Sequence, residues 1–209
     1  MAQDVNKNTN SMPTLGFLTV LDYGQEGLFG GYLTLNINGR PLEFHCTAPI
    51  KPNRAQEILY GPTLEPYLYG EQIGKTLLAK ATSHPMVVCT DRPAALSVRD
   101  FVEMPVALVV SPPNDNDVGD DDSPAYDISL SQSTAPSLQK TWRIDSAHCS
   151  GLALEEFHLG CNHLAVPSRL SEDRRAVIER LEDLGESFDL SEPFMRIREA
   201  IEEARRGGR

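Results

Sequence analysis

The sequence predicts an α/β protein: a mixed sheet with a leading antiparallel hairpin and helices on its faces. The hairpin rests on Asn38-Gly39, which stands between two runs that alternate apolar and polar residues, Tyr32–Ile37 and Pro41–Cys46. Asn-Gly in this position favours a type I′ turn, because both central residues of that turn need positive φ. Two later runs are continuously apolar, as in buried parallel strands: Met86–Asp91 and Pro105–Val110.

Weaker signals supply the other elements of the core. Leu15–Asp22 is rich in β-forming residues and predicts the first strand. Arg54–Tyr60 and Leu64–Ala81 carry apolar residues at an irregular helical spacing. Gly70 and Gly74 lie inside the second of these helices and indicate a kink or a position of close packing. Strands that alternate with helices in this way favour a layered α/β architecture.

Two amphipathic helices are predicted at the end of the chain. The first spans Ser171–Leu184 and the second Ser191–Ala204, each with its leading serine as the N-cap. Each helix is expected to bury one apolar stripe, through Val177 and Leu181 in the first and Ile197 and Ile201 in the second. We expect the chain from Arg205 onward to fray, because Gly207-Gly208 disfavours helix.

The charge of the chain is concentrated in one segment. The 209 residues carry a formal net charge of −11, and Asn114–Asp127 contains six aspartates and no basic residue. Such a segment cannot bury enough apolar surface to become ordered. We therefore divide the chain into four parts: a disordered arm at 1–13, an α/β core at 14–112, an acidic disordered loop at 113–127, and a C-terminal extension with the two helices at 128–209.

Composition also excludes several classes of protein. No apolar run approaches the ~20 residues that span a bilayer, so no membrane partner is expected. The polar N-terminus lacks the apolar core of a secretory signal, which predicts a cytoplasmic protein. Four cysteines, at positions 46, 89, 149 and 161, are too few for a disulfide scaffold. Basic residues do not cluster with aromatic ones, so a broad basic face for duplex binding is not supported.

Several motifs succeed one another in a distinctive order. Asp22 ends the first strand, Gly30-Gly31-Tyr32 leads into the hairpin, Asn53-Arg54 opens a helix that carries Glu57, and Thr90-Asp91 ends a later strand. This order resembles the ribonuclease H superfamily and covers roughly residues 15–110. The resemblance implies a ribonuclease H-like fold with Asp22, Glu57 and Asp91 as catalytic residues. In that chemistry, carboxylates hold two Mg²⁺ ions ~3.5–4 Å apart for phosphodiester hydrolysis.

The sequence departs from the family pattern at several points. The family has one residue between the arginine and the glutamate, whereas two separate Arg54 from Glu57 here, so Gln56 takes the place of the catalytic glutamate. The family's fourth carboxylate has only Asp145 and Asp173 as candidates. Two functions therefore remain open: a metal-dependent hydrolase acting on nucleic acid, and a non-catalytic module that binds nucleic acid or a partner protein. In a non-catalytic protein an arginine is expected between the carboxylates, with Arg54 and Arg92 nearest in sequence.

A second group of residues has donors suited to zinc. Its members lie within sixteen residues of one another and offer two sulfur and two nitrogen donors: Cys149, His158, Cys161 and His163. Their spacing matches no usual zinc finger or ribbon. The alternative is that the cysteines are buried and the histidines hydrogen-bonded. A third interpretation pairs Cys149 with His148 as nucleophile and base.

Overall fold

A computed structural model describes residues 13–110, 153–182, 184 and 188–207. The arm predicted at 1–13, apart from Pro13, and the acidic loop at 113–127 lie outside these ranges. Asp145, His148 and Cys149 also lie outside them.

The described residues form one mixed sheet of seven strands in the order β3-β2-β1-β4-β5-β7-β6. β1 pairs antiparallel with β2 and parallel with β4, which in turn pairs parallel with β5. The strands are β1 Thr14–Asp22, β2 Leu28–Asn36, β3 Pro41–Cys46, β4 Val87–Thr90, β5 Val106–Val109, β6 Leu154–Leu159 and β7 Asn162–Pro167. The predicted mixed α/β sheet with a leading antiparallel hairpin is thereby confirmed.

Helices cover both faces of this sheet. They are α1 Arg54–Tyr60, α2 Leu64–Pro66, a π-helical segment Tyr67–Gly74, α3 Lys75–Lys80, a 3₁₀ helix Pro93–Phe101, α4 Ser171–Leu181 and α5 Glu192–Gly207. No helix within the described ranges is long and apolar enough to cross a membrane.

The strict alternation of β1 divides the core into two layers. Leu15 and Phe17 belong to the layer that α4 and α5 cover. Leu18 and Val20 belong to the opposite layer, which the π-helical segment, α3 and the 3₁₀ helix cover. All four side chains are fully buried, so β1 is a central strand that both layers need.

Gly30 and Gly31 let both helical layers approach β2 closely. A Cβ added to Gly30 would collide with the Cγ2 atom of Ile73, on one face of the sheet. A Cβ added to Gly31 would collide with the Cγ2 atom of Ile197, on the other face. Successive residues of a strand point to opposite faces, so each glycine allows the close approach of the helices on one face of the sheet. The Gly-Gly of the motif is therefore explained by packing.

The hairpin is confirmed, but its turn is not type I′. Gly39 has a φ of 73°, whereas no non-glycine residue in the described ranges has positive φ. The N–H of Gly39 donates to the carbonyl of Asn36 at 2.9 Å, and the Asn36 side chain accepts from the backbone N–H of Asn38 and of Arg40. This is the three-residue loop in which a type I turn is followed by a left-handed glycine. Asn38 therefore does not need the strained conformation that we predicted.

The irregular apolar stripe of the second predicted helix reflects a π-helical segment. Leu68 and Ile73 are both buried although they lie five positions apart, which is the spacing of a π-turn rather than an α-turn. Gly70 packs against Ser97, where a Cβ would meet the Ser97 side chain and backbone. The close packing predicted for Gly70 is confirmed, and Gly74 packs on Val98 in the same way.

The C-terminal part extends the sheet as well as supplying helices. β6 and β7 form a hairpin that the sequence did not lead us to predict, and β7 pairs with β5. Val177, Leu181, Ile197 and Ile201 are buried, as predicted. The N-cap of α4 is Leu170 rather than Ser171, because a 3₁₀ turn precedes the helix. The prediction that the chain frays from Arg205 onward is wrong, because α5 continues to Gly207.

Candidate functional site

Asp22 lies at the carboxyl end of β1, where the chain turns toward β2. Its Oδ1 accepts a hydrogen bond from the backbone N–H of Gly24 at 2.8 Å. Gly24 has a φ of 57°, so a glycine suits the turn. The aspartate thus shapes the turn, and its exposed carboxylate still lines a cavity beside it.

Asp91 directly follows β4, the parallel neighbour of β1. The register pairs Leu18 with Thr90, so the backbone of Asp91 lies level with Thr19. Asp22 is three residues farther along β1, which is ~10 Å at the usual strand rise. The prediction that the two aspartates end adjacent strands is confirmed, with this stagger between them. That they share a divalent ion stays a prediction.

An arginine from α5 neutralises Asp91. The Nη2 atom of Arg198 lies 2.7 Å from the Oδ2 atom of Asp91, whose side chain is only 8% exposed. The Oδ1 atom is buried and has no hydrogen-bond partner within the part of the chain that the structure describes. Desolvation of a carboxylate is costly, so the guanidinium provides the charge that keeps Asp91 compatible with burial.

Gln56 and Glu57 have different roles in α1. The side chain of Gln56 turns back to Asn53, where the two residues form a reciprocal cap. Glu57 forms an ion pair with Arg54 at 3.0 Å and lines the same cavity as Asp22. Consecutive helical residues differ by about 100° in direction, which is why only one of the two reaches the cavity.

A cavity of about 670 Å³ opens at the carboxyl end of β1. Among the residues that the structure describes, three carboxylates line it, those of Asp22, Glu57 and Glu65, and Lys51 provides the one ammonium group. Tyr69 forms part of its wall, and burial together with the nearby Glu65 raises the pKa of the tyrosine hydroxyl to about 12. The cavity is therefore acidic, with an aromatic wall that stays neutral at physiological pH.

Asp173, the described candidate for the fourth carboxylate, serves a structural ion pair. Its two oxygens accept from Nε and Nη2 of Arg99 at 2.7 and 3.0 Å. The pair ties α4 to the 3₁₀ helix Pro93–Phe101, and the carboxylate raises the pKa of Arg99 further above its ordinary value. Asp173 is thus paired with the guanidinium of Arg99, and it does not line the cavity that Asp22 and Glu57 share.

The described members of the predicted Cys/His cluster, His158, Cys161 and His163, lie on the β6–β7 hairpin. His158 and His163 face each other across the strands, and their rings stack with centroids 4.4 Å apart. Cys161 is exposed in the turn, so the alternative in which this cysteine is buried is wrong. The Oε2 atom of Glu156 lies 2.9 Å from Nε2 of His163, so the prediction of a hydrogen-bonded histidine is confirmed for His163. Cys149 is outside the described residues, so the four-ligand zinc site stays a prediction.

Sequence reasoning missed Arg198 as the partner of Asp91. We expected Arg54 or Arg92, but Arg54 pairs with Glu57 and the Nε atom of Arg92 is buried without a partner among the described residues. Arg198 is 107 residues from Asp91 in sequence, so no local pattern indicates the pairing. Tyr69 and Glu65 were missed for a similar reason, since they sit in a helix that the sequence indicates only as a scaffold.

With their side chains as they stand, no three His, Cys, Asp or Glu residues within the described ranges are arranged to hold a metal ion. Comparison with known proteins adds no relative: no protein-family model matches this sequence, and none of the curated proteins is significantly similar to it.

Proposed function

We propose that this chain is a non-catalytic ribonuclease H-like module that binds a partner protein through the acidic cavity at the end of β1. One observation carries the non-catalytic part of the proposal: Arg198 contacts Asp91 at 2.7 Å, where the resemblance implies a metal ion. A guanidinium supplies a permanent positive charge. It offers no open coordination position for water, which metal-assisted hydrolysis requires.

The second part of the argument concerns Gln56, which stands in place of the family's catalytic glutamate. Its amide accepts a hydrogen bond from the backbone N–H of Asn53 at 3.0 Å, so the side chain is engaged in capping. A neutral amide is also a weaker ligand for Mg²⁺ than a carboxylate. Two of the positions that the family uses for metal thus have other partners here.

The order of the motifs supports the ribonuclease H-like assignment. Asp22 ends the first strand, Gly30-Gly31 lies in the strand that leads into the hairpin, and Asn53 caps the first helix. Asp91 follows the fourth strand directly. Four motifs in the order that the family shows are more specific than any one of them alone.

The chemistry of the cavity favours a basic partner. Its three carboxylates, Asp22, Glu57 and Glu65, outnumber Lys51 and would repel the phosphates of a nucleic acid. Ile58 and Leu59 directly follow Glu57 on α1, and both are largely exposed, at 68% and 80%. Exposed apolar residues beside a charged cavity are typical of a protein interface. The fitting partner is a peptide segment with a lysine or arginine next to apolar residues.

Mg²⁺ titration tests the loss of catalysis. We expect the melting temperature of the chelator-treated protein to be the same in MgCl₂ as in KCl of equal ionic strength. We also expect no cleavage of single-stranded or duplex DNA, RNA or a hybrid with Mg²⁺ or Mn²⁺. Metal-dependent cleavage that Asp91→Asn abolishes would overturn the non-catalytic assignment.

A peptide titration tests the binding site. The probe is an octapeptide of alternating lysine and leucine, compared with its glutamate–leucine counterpart by NMR chemical-shift mapping. We expect the lysine peptide alone to shift the resonances of the cavity, and Glu57→Gln with Glu65→Gln to weaken it. Glu103→Gln, at an exposed glutamate elsewhere, is the control and should leave binding unchanged. Equal binding of both peptides would contradict the proposed recognition.

The metal-dependent hydrolase is the second candidate. Two observations favour it: Asp22 and Glu57 line one cavity, and the buried Oδ1 atom of Asp91 has no partner among the described residues. A buried carboxylate oxygen without a donor is a position that a cation could satisfy. The Mg²⁺ titration decides between the two candidates, because only the hydrolase predicts stabilisation that Asp91→Asn removes.

A further inference from the structure

The β6–β7 hairpin presents three potential metal ligands on one face. Glu156 and His158 alternate on β6, and His163 lies directly opposite His158 on β7. The intervening Phe157 is buried on the other face, so the three donors share the outer side. Two strands, β4 and β5, separate this hairpin from β1 and its cavity, so a site here is independent of the proposed function.

The backbone brings the two imidazoles unusually close. The carbonyl of His163 accepts from Val110 of the neighbouring chain segment, so the hydrogen-bonding groups of His163 point away from β6. His158 and His163 therefore form a non-hydrogen-bonded pair, the closer of the two kinds in an antiparallel ladder. Their rings are parallel within 2°, with centroids 4.4 Å apart.

The carboxylate of Glu156 completes the donor set. Its Oε2 lies 2.9 Å from Nε2 of His163, and its side chain is 59% exposed and free to move outward. Bonds of about 2.1 Å at a tetrahedral angle place two donor atoms about 3.4 Å apart, so this contact must widen by about half an ångström. A rotation of the exposed His158 ring out of the stack brings in the third donor.

We propose that Glu156, His158 and His163 bind one late first-row divalent cation, such as Zn²⁺ or Ni²⁺, with water at the remaining position. Two imidazole nitrogens and one carboxylate oxygen are a donor set that these ions prefer over Mg²⁺ or Ca²⁺. The site differs from the one expected from sequence, because Glu156 takes the role that was assigned to cysteines. Cys161 lies in the turn and is not needed as a ligand.

The test uses the full chain without an affinity tag, after treatment with a chelator. We expect calorimetry to show one Zn²⁺ bound per chain and the melting temperature to rise with Zn²⁺ concentration. His158→Phe keeps a ring stacked on His163 but removes a donor, and should weaken Zn²⁺ binding at least tenfold. Glu156→Gln should weaken it less, since one oxygen donor remains. His45→Phe is the matched control. His45 also lies in a strand, with its Nε2 atom 3.2 Å from the Oε2 atom of Glu43, and its replacement should leave the affinity for Zn²⁺ unchanged.

Electron paramagnetic resonance of the Cu²⁺-loaded wild type provides a readout that does not depend on variants. We expect hyperfine splitting from two imidazole nitrogens, reduced to one in His158→Phe. Binding that is unchanged in His158→Phe, or binding that Cys161→Ser abolishes while Glu156→Gln has no effect, would overturn the assigned ligands. Absence of Zn²⁺ binding to the wild type would overturn the site itself.

Discussion

Asn53 and Gln56 cap helix α1 reciprocally. The side chain of Asn53 accepts from the backbone N–H of Gln56 at 2.9 Å, and the side chain of Gln56 accepts from the backbone N–H of Asn53 at 3.0 Å. This capping box satisfies two backbone donors that a helix N-terminus otherwise leaves free. The capping role of Gln56 explains a glutamine at a position where the ribonuclease H resemblance implies a glutamate.

Replacing Gln56 with glutamate is therefore expected to preserve the cap without creating a metal site. Gln56→Glu keeps an acceptor for Asn53 and adds a negative charge near the helix N-terminus, so the free energy of unfolding should stay equal or rise by a few tenths of a kcal/mol. Gln56→Ala should lower it by about 0.5–1 kcal/mol, as for other lost caps. Chemical denaturation with and without Mg²⁺ measures both effects. Stabilisation of Gln56→Glu by Mg²⁺ would show that this side chain faces a metal site.

The close approach of α5 to the sheet depends on Gly31. Gly31→Ala would drive a methyl group into Ile197, which is fully buried, and should cost about 1–3 kcal/mol of stability through overpacking. Ile197→Ala removes the obstructing atoms, so the double variant should be less unstable than the sum of the two single variants. Gly207→Ala, where the added Cβ meets nothing, is the control and should not lower stability. Strict additivity would mean that the two residues are not in contact.

The strands of the core could be predicted because their signals are local. Apolar runs and the alternation around Asn38-Gly39 depend on neighbours in sequence, and burial on one or both faces of a sheet imposes those patterns. The prediction of a type I′ turn failed because Asn36 offered its own side chain to the loop, which stabilises a longer turn. Likewise the β6–β7 hairpin was missed because His158, Cys161 and His163 were considered as metal ligands or core residues and not as parts of two paired strands, whereas Gly160 at a φ of 58° marks a turn.

The candidate site could be predicted only in part. Asp22, Glu57 and Asp91 were chosen because the order of the motifs resembles the ribonuclease H superfamily, and two of them, Asp22 and Glu57, line one cavity. The partner of Asp91 could not be predicted, because Arg198 approaches it through the packing of α5 on β1 and β2, and that packing depends on Gly31 and Ile197 rather than on any pattern near Asp91. Charge compensation between distant elements is a property of the tertiary structure.

The ion pair between Arg99 and Asp173 should contribute strongly to stability. The Asp173 side chain is only 7% exposed, and both of its oxygens bond the guanidinium. Asp173→Asn leaves a largely buried arginine without its counter-charge and should cost about 3 kcal/mol. The exposed pair Arg169–Asp100 is the control, and Asp100→Asn should change the free energy of unfolding by less than about 1 kcal/mol. Similar losses in the two variants would contradict this difference in burial.

Glu43 is expected to make stability depend on acid pH. Hydrogen bonds from Ser83 and Thr82 hold the pKa of its carboxyl far below the ordinary value of 4.5. Because the folded state binds the proton less readily than the unfolded state, the stabilisation is complete above about pH 4.5 and declines as pH falls below that value. Glu43→Gln should therefore be less stable than wild type at neutral pH, with a difference that narrows in acid.

Urea denaturation of wild type and Glu43→Gln between pH 7 and pH 3 measures this dependence. Glu103→Gln, at an exposed glutamate, controls for the loss of one negative charge. A difference between wild type and Glu43→Gln that stays constant over this range would contradict the role assigned to the carboxylate.

The pairing of Asp91 with Arg198 predicts a measurable coupling energy. Arg198→Met leaves a carboxylate that is 8% exposed without its cation, while Asp91→Asn removes the charge that the arginine balances. Each single variant should lose stability, and the double variant should lose less than their sum, with a coupling of about 1–3 kcal/mol. Arg206→Met is the control. Arg206 pairs with Glu202 at 3.5 Å and both side chains are exposed, so the free energy of unfolding should change by no more than about 0.5 kcal/mol.

If Arg198 replaces a metal ion, Mg²⁺ should stabilise Arg198→Met more than wild type, because the freed carboxylate can then attract the cation. Zero coupling between the two residues would remove the observation on which the non-catalytic assignment depends.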